Sequence, residues 1–342
     1  MAARGTGTAG TAGAARTTGT ADGAPTAGTR SGSRGRRRRT LLAALVASAV
    51  IFPVSAAASA DVPAPPPAAF AEDAAPHSRY AANRAGLAEA ARMAEEAGRT
   101  GRAARLRAME ADGTAQFLAF DGRGRGRAVE VLGDLESADR IAVLVPGSDT
   151  TLDTYQRFRA GAVALGQRLQ AEHPRSAVVA WLGYDTPGTV STTVLTADRA
   201  DEAASELAPF LNRLTGMTAP GSRLSLLCHS YGSVVCARTP TGPAVTAIAL
   251  FGSPGTGAES ADELPTGARV WAGRGGADWI SGVPHVRLGG IGFGADPVDP
   301  AFGAWVFAAG PGGHSDYLKP GTESLDGLAA IVLGTAPEGR HA

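Results

Sequence analysis

Five residues, Cys228-His229-Ser230-Tyr231-Gly232, offer the clearest chemistry in this 342-residue chain. An apolar run, Leu224 to Leu227, leads straight into them and a helical stretch follows. A serine on a sharp strand-to-helix turn carries its hydroxyl exposed above a sheet, ready to attack an acyl carbon. Small residues two before and two after that serine let strand and helix pass closely; Gly232 meets one requirement, and Cys228 replaces the usual glycine at the other. The plain alternative is an ordinary serine in a strand-to-helix turn.

A serine hydroxyl needs a base to take its proton, and the base needs a carboxylate to orient it. On a strand-turn-helix nucleophile the chain order is Ser, acid, His. Downstream of the elbow lie His285, His314 and His341. His341 is near the end of the chain, and His285 follows Pro284 with no strand before it. His314 comes after the apolar stretch Ala304 to Ala308, in the loop Gly310-Pro311-Gly312-Gly313, and is the expected base. Asp278 follows the strand-like Arg269 to Ala272 through a Gly-rich turn and is the expected acid, ahead of Asp262, Asp296 and Asp299. The charge on a tetrahedral intermediate needs donors aimed at it beforehand. The backbone N–H groups of Tyr231 and of Ser148, in the turn Pro146-Gly147-Ser148-Asp149, are the candidates.

The surrounding pattern supplies elements that can hold such a site. Strand-like runs occur at 117–120, 128–132, 141–145, 177–182, 224–227, 245–251, 269–272 and 304–308. Helical patterns lie between them: 77–111, broken near Gly98 to Gly101; a face made of Leu152, Tyr155, Phe158, Ala162, Leu165 and Leu169; another of Ala200, Ala204, Leu207, Leu211 and Leu214; a short helix from about Tyr231; and a closing one at 325–333. Continuous apolar strands alternating with helices predict a mostly parallel sheet covered on both faces. Ligands then sit beyond the carboxyl ends of the strands, where Ser230, Asp278 and His314 all fall.

The runs Ile141-Ala-Val-Leu-Val-Pro-Gly147, Val179-Ala-Trp-Leu-Gly-Tyr-Asp185, His229-Ser-Tyr-Gly-Ser233, Gly252-Ser-Pro-Gly255, Gly294-Ala-Asp-Pro297 and Gly313-His-Ser-Asp-Tyr317 resemble, in this order, an actinobacterial α/β-hydrolase family long catalogued as a domain of unknown function. The resemblance covers about residues 77 to 335. It implies an α/β-hydrolase fold with Ser230 as nucleophile and His314 as base. The match at the acid is looser, because this chain has Gly276-Ala-Asp-Trp279 where the family usually shows Gly-Asp-Pro.

Only about residues 254–267 separate two of the strands, too few for a large cap domain, so an open, cutinase-like cleft is expected. Asp185 follows a strand and is a candidate for the pocket rim; a structural turn is the alternative. Cys228 and Cys236, the only cysteines, are eight apart across the elbow. A disulfide would pin strand to helix; two small buried thiols filling a tight crossing is the preferred reading. No metal-ligand spacing or phosphate-cradling loop stands out, and no cofactor is expected.

The charge balance of 32 basic and 32 acidic groups conceals two populations. Residues 1–40 hold eight arginines and one acid, residues 41–60 no charge, and residues 61–342 hold 24 basic and 31 acidic groups. An acidic body argues against nucleic-acid partners. Arg36 to Arg39, the apolar run 41–54 and the small-residue site Ala58-Ser59-Ala60 match a secretory signal peptide, and Arg38-Arg39 resembles a twin-arginine signal. Residues 1–60 therefore read as a disordered leader with its signal, 61–76 as a stiff Pro-rich linker, and 77–342 as the hydrolase domain. An uncleaved anchor in residues 41–60, touching the membrane, is the alternative.

The resulting expectation is an exported serine esterase acting on a small-molecule or lipid-like ester. Acyl transfer or amide hydrolysis by the same residues, and a non-catalytic envelope binding protein, are the competing readings.

Overall fold

The computed structural model describes residues 62–71, 74–189, 197–283 and 292–336. The export signal expected in residues 1–60, together with His285 and His341, lies outside the described residues. Two helices, α1 (Pro76–Glu96) and α2 (Thr100–Ala111), precede the first strand. Gly98, at φ 70°, turns the chain between them at the break expected from the sequence.

Eight strands follow: β1 (Gln116–Asp121), β2 (Arg127–Leu132), β3 (Arg140–Val145), β4 (Ser176–Leu182), β5 (Arg223–His229), β6 (Val245–Phe251), β7 (Arg269–Gly273) and β8 (Trp305–Val306). They form one sheet in the order β1-β2-β4-β3-β5-β6-β7-β8. The pairs β1–β2 and β2–β4 are antiparallel, and every pair from β4 to β8 is parallel. The central strands β3 and β4 are buried along almost their whole length, as unbroken apolar runs require when both faces are covered.

Helix α3 (Tyr155–Glu172) and the closing helix α6 (Glu323–Leu333) share one apolar layer with Ala142, Leu144, Val178, Leu227 and Trp271. Helices α4 (Asp198–Thr215) and α5 (Tyr231–Arg238) share the other with Val143, Val179, Leu226 and Ile248. Each fully buried Val, Leu or Ile in these layers contributes about 1.5–3 kcal/mol relative to exposure. A third cluster seats α1 and α2 on β1 through Leu87, Ala90, Leu106, Met109, Phe117 and Phe120. Beneath β2 the buried Glu130 carboxylate accepts from Tyr155 Oη at 2.9 Å and from Arg159 Nε at 2.7 Å.

Two boundaries differ from the sequence reading. Leu152 sits in the turn before α3, its N–H donating to Arg125 C=O at 3.1 Å, because the helix begins only at Tyr155. The last strand shrinks to two residues, paired with β7 at Trp271↔Trp305 and Ala272↔Val306. The Pro-rich segment read as a stiff linker lies on the domain over its described part. Val62 C=O accepts from Gly124 N–H at 3.2 Å, and Ala64 packs against the third cluster. Arg79 of α1 donates to Ala71 C=O and Ala74 C=O at 3.0 Å each and lies over the Phe70 ring. A proline-stiffened segment has little conformational entropy to lose on docking, so a few contacts suffice to hold it.

The β6–β7 connection contains only the short 3₁₀ turn Ala261–Glu263. The longer excursion runs from β7 to β8, with 3₁₀ turns at Trp279–Gly282 and Pro300–Phe302. Among the described residues none of these segments forms a cap domain. Among the described residues no helix is long and apolar enough to cross a membrane.

Candidate active site

Strand β5 ends at His229 and α5 begins at Tyr231, leaving Ser230 alone in the turn with φ 53° and ψ −125°. Only Asp149 shares a positive φ among the described residues that are not glycine. Strain of this kind costs on the order of 1–3 kcal/mol and persists only where the surroundings over-determine it. Here Ser230 N–H donates to Phe251 C=O at 2.9 Å, and Ser230 C=O accepts from Ser233 N–H at 2.9 Å. Gly232 lets the helix start pass the end of β3, since a Cβ there would lie 2.6 Å from Val145 O and 2.7 Å from Pro146 O.

The structure brings the three widely separated polar residues together. Ser230 Oγ lies 2.9 Å from His314 Nε2. On the other side of the ring, His314 Nδ1 is 2.9 Å and 3.1 Å from the two carboxylate oxygens of Asp278. Asp278 is 2% exposed. Burial alone would raise its pKa, but donors from His314, Tyr317 and the Ile280 N–H outweigh it and hold the carboxyl below its ordinary range. It is therefore an anion at neutral pH, able to keep the imidazole in the tautomer that presents a bare Nε2 to the serine.

Three residues that the sequence reading passed over complete the arrangement. Tyr317 Oη donates to Asp278 Oδ2 at 2.6 Å and accepts from Gly275 N–H at 2.9 Å, tying the acid to the turn after β7. Burial and the adjacent carboxylate push the Tyr317 phenol pKa up, so it stays a donor. His229, partly buried beside Phe251, Tyr317 and His314, places Nε2 2.8 Å from the His314 backbone carbonyl. Desolvation, and then the neighbouring His314, lower its pKa to about 4, so it is neutral and donates to that carbonyl. Trp279, next to the acid, sets its ring centroid 4.6 Å from that of His314. The signals were adjacency to Ser230, adjacency to Asp278 and the tyrosine three positions after His314; none reveals a contact by itself.

The turn carrying Ser148 stands against Ser230, for a Cβ at Gly147 would be 2.6 Å from Ser230 Cβ. Tyr184 Oη donates to Pro146 C=O at 2.7 Å, and Asp149 N–H donates to Pro187 C=O at 3.0 Å, fixing this turn from the β4 side. Asp185, a candidate for the pocket rim or for a structural turn, places Oδ2 3.2 Å from Arg127 of β2.

Cys228 and Cys236 are joined as a disulfide, where two thiols were the preferred expectation. The elbow folds α5 back along β5 and brings the two Cα atoms to 6.4 Å, within bridging range. Among the described residues no group of three or more His, Cys, Asp or Glu side chains is placed to hold a metal ion. Two cavities, of about 1040 and 510 Å³, open at the opposite end of the sheet and are lined by none of Ser230, His314 and Asp278.

Strand order, covered parallel sheet and strained elbow together define an α/β-hydrolase fold. A family model described as alpha/beta hydrolase matches residues 121–288, a span holding Ser230 and Asp278 and ending before His314. An uncharacterized protein of Mycobacterium tuberculosis is 30% identical over 249 residues, covering 62% of this chain and 37% of that protein. An uncharacterized protein of Mycobacterium bovis is 31% identical over 144 residues, covering 39% of this chain and 54% of that one. The chain thus spans little more than a third of the first relative and about half of the second. Among solved structures, a serine hydrolase without lid from Xanthomonas campestris aligns with TM-score 0.40 and 16% identity over 65% of this chain and 94% of that one. The esterase LipW of Mycobacterium marinum aligns with TM-score 0.39 and 15% identity, over 72% and 88% respectively.

Proposed function

We propose that this protein is a serine hydrolase that cleaves carboxylic esters through an acyl-enzyme on Ser230. The observation that carries the reading is the 2.9 Å contact of Ser230 Oγ with His314 Nε2, on an elbow strained to φ 53°. In this reading Ser230 Oγ attacks the ester carbonyl while His314 Nε2 takes its proton. Asp278 stays ionised and stabilises the imidazolium that results. The backbone N–H groups of Tyr231 and Ser148 receive the negative charge of the tetrahedral oxygen. The carbon–oxygen bond then breaks, His314 returns the proton to the departing alcohol, and water repeats the sequence to release the acid. Each pre-aimed oxyanion donor supplies about 2.7–4 kcal/mol of transition-state stabilisation in enzymes of this type.

A fluorophosphonate probe tests the reading directly. Folded wild-type protein should label, Ser230→Ala should not, and His314→Ala should label far more slowly. Failure of the folded wild type to label overturns the hydrolase reading in favour of a binding protein. Matched butyrate esters and butyramides separate esterase from amidase action, and added alcohols reveal acyl transfer. We also propose export directed by residues 36–60. Intact mass of the protein recovered outside the cell should correspond to a chain beginning at Asp61, and recovery of the full-length chain in the membrane fraction would favour an anchor.

A further inference from the structure

We propose that Trp279 forms the leaving-group side of the substrate site, a platform for esterifying alcohols with a flat or extended apolar body. The proposal rests on the esterase reading of Ser230. Among the described residues Trp279 is the exposed large hydrophobic side chain, at 54% of its surface. Its neighbours in sequence, Asp278 and Ile280, are 2% and 3% exposed. Asp278 Oδ1 accepts from Ile280 N–H at 2.9 Å, and Ser281 Oγ donates to Asp278 C=O at 2.8 Å. The backbone is thus pinned on both sides of a side chain left in water. Trp181 and Trp271, by contrast, are buried in the core layers. An indole held outward by a rigid turn, at the mouth of a site, has apolar area left for a ligand to cover.

The chemistry says which half of the ester covers it. When the tetrahedral intermediate collapses, the bond from carbon to the alcohol oxygen breaks and its electron pair stays on that oxygen. The oxygen takes the proton from His314 Nε2, the carbonyl re-forms on Ser230, and the imidazole is left neutral. The alcohol oxygen must therefore come within hydrogen-bond reach of Nε2. The next atoms of the alcohol then fall within reach of an indole whose centroid is 4.6 Å from the imidazole centroid, at a ring angle of 46°. The acyl chain leaves the same tetrahedral carbon in another direction, with its oxygen toward the Ser148 and Tyr231 N–H groups. Trp279 consequently discriminates between alcohols and not between acids.

Two ester series on the full chain test this. One holds the butyryl group and varies the alcohol through methyl, ethyl, octyl and benzyl, whose oxygens are similar in acidity. The other holds ethanol and varies the acid from acetyl to octanoyl. Trp279→Ala should lower the ratio of kcat/KM for benzyl over methyl butyrate by roughly two- to tenfold, the range of one aromatic contact. The loss should lie mainly in KM, with the acyl series keeping its relative order and spacing. Trp279→Phe should recover most of the benzyl preference. An equal loss across both series would overturn the proposal, since the indole would then merely shield His314; so would a loss that follows acyl length. Fluorophosphonate labelling of the same preparations separates the two ideas. Labelled variant with unchanged alcohol preference overturns the platform alone, whereas unlabelled folded wild type overturns the esterase reading and the platform with it.

Discussion

Replacing Tyr317 by Phe removes one hydroxyl that serves two partners. Its O–H donates to Asp278 Oδ2 at 2.6 Å, and its oxygen accepts from the Gly275 N–H at 2.9 Å. A hydrogen bond to a charged group contributes about 1.5–3 kcal/mol, and an orphaned buried donor costs about 1–3 kcal/mol. Tyr317→Phe should therefore destabilise the fold by roughly 3–5 kcal/mol at neutral pH. The pH dependence identifies the source. Asp278 has a depressed folded pKa, so its contribution is fully present above the unfolded value and disappears as pH falls through the folded one. Without the Tyr317 donor the folded pKa rises, and each unit of rise corresponds to about 1.4 kcal/mol. The gap between variant and wild type should narrow from pH 7 to the acid limit of the folded protein, because the bond loses its charge assistance as the carboxyl becomes protonated. Urea unfolding at the two pH values, followed by tryptophan fluorescence, measures it. A gap of equal size at both would refute the ionised Asp278–Tyr317 pair, and no gap at either would refute the hydrogen bond itself.

His229, with its pKa lowered to about 4, binds fewer protons folded than unfolded between roughly pH 6.5 and 4. Stability should therefore drop as pH is lowered from 6.5 to 4, by about 3 kcal/mol, and His229→Phe should flatten this part of the profile while reducing kcat through loss of the donor to His314 C=O. Removing Arg159 leaves the buried Glu130 carboxylate with only Tyr155 among its two side-chain donors, so Arg159→Ala should cost about 3–5 kcal/mol in thermal or denaturant unfolding. Arg159→Ala with Glu130→Gln should recover part of that loss. Cys228–Cys236 closes a short loop, so a strong reductant or Cys236→Ala should lower unfolding free energy by about 2–3 kcal/mol in the chain-entropy estimate. Titration of the denatured, unreduced protein should find no free thiol.

Much of the architecture was legible because its signals are local. Unbroken runs such as Ile141 to Val145 and Ala177 to Leu182 are what strands covered on both faces look like, and β3 and β4 are buried accordingly. The turn at Ser230 was equally local, since strand, small residues and helix adjoin in sequence. Periodicity could not tell that β2 runs antiparallel to β4, or that the strand near Trp305 pairs over only two residues, because pairing partners lie far apart in the chain. The docking of the Pro-rich stretch was not legible for a related reason. Its composition describes a stiff chain, but whether that chain docks depends on what surface lies beside it.

The amino-acid sequence alone determined which residue types were available for acyl chemistry and in what order they occur. Connectivity restricts a Ser–acid–His arrangement on an elbow, and few residues meet it. Tertiary structure decided how those residues are held. Tyr317 reaches Asp278 across 39 positions, His229 reaches the His314 backbone across 85, and Cys228 meets Cys236 because the helix doubles back along its strand. These contacts need distances of about 3 Å between atoms on different elements. Such distances are products of sheet register and loop path, which sequence spacing does not encode.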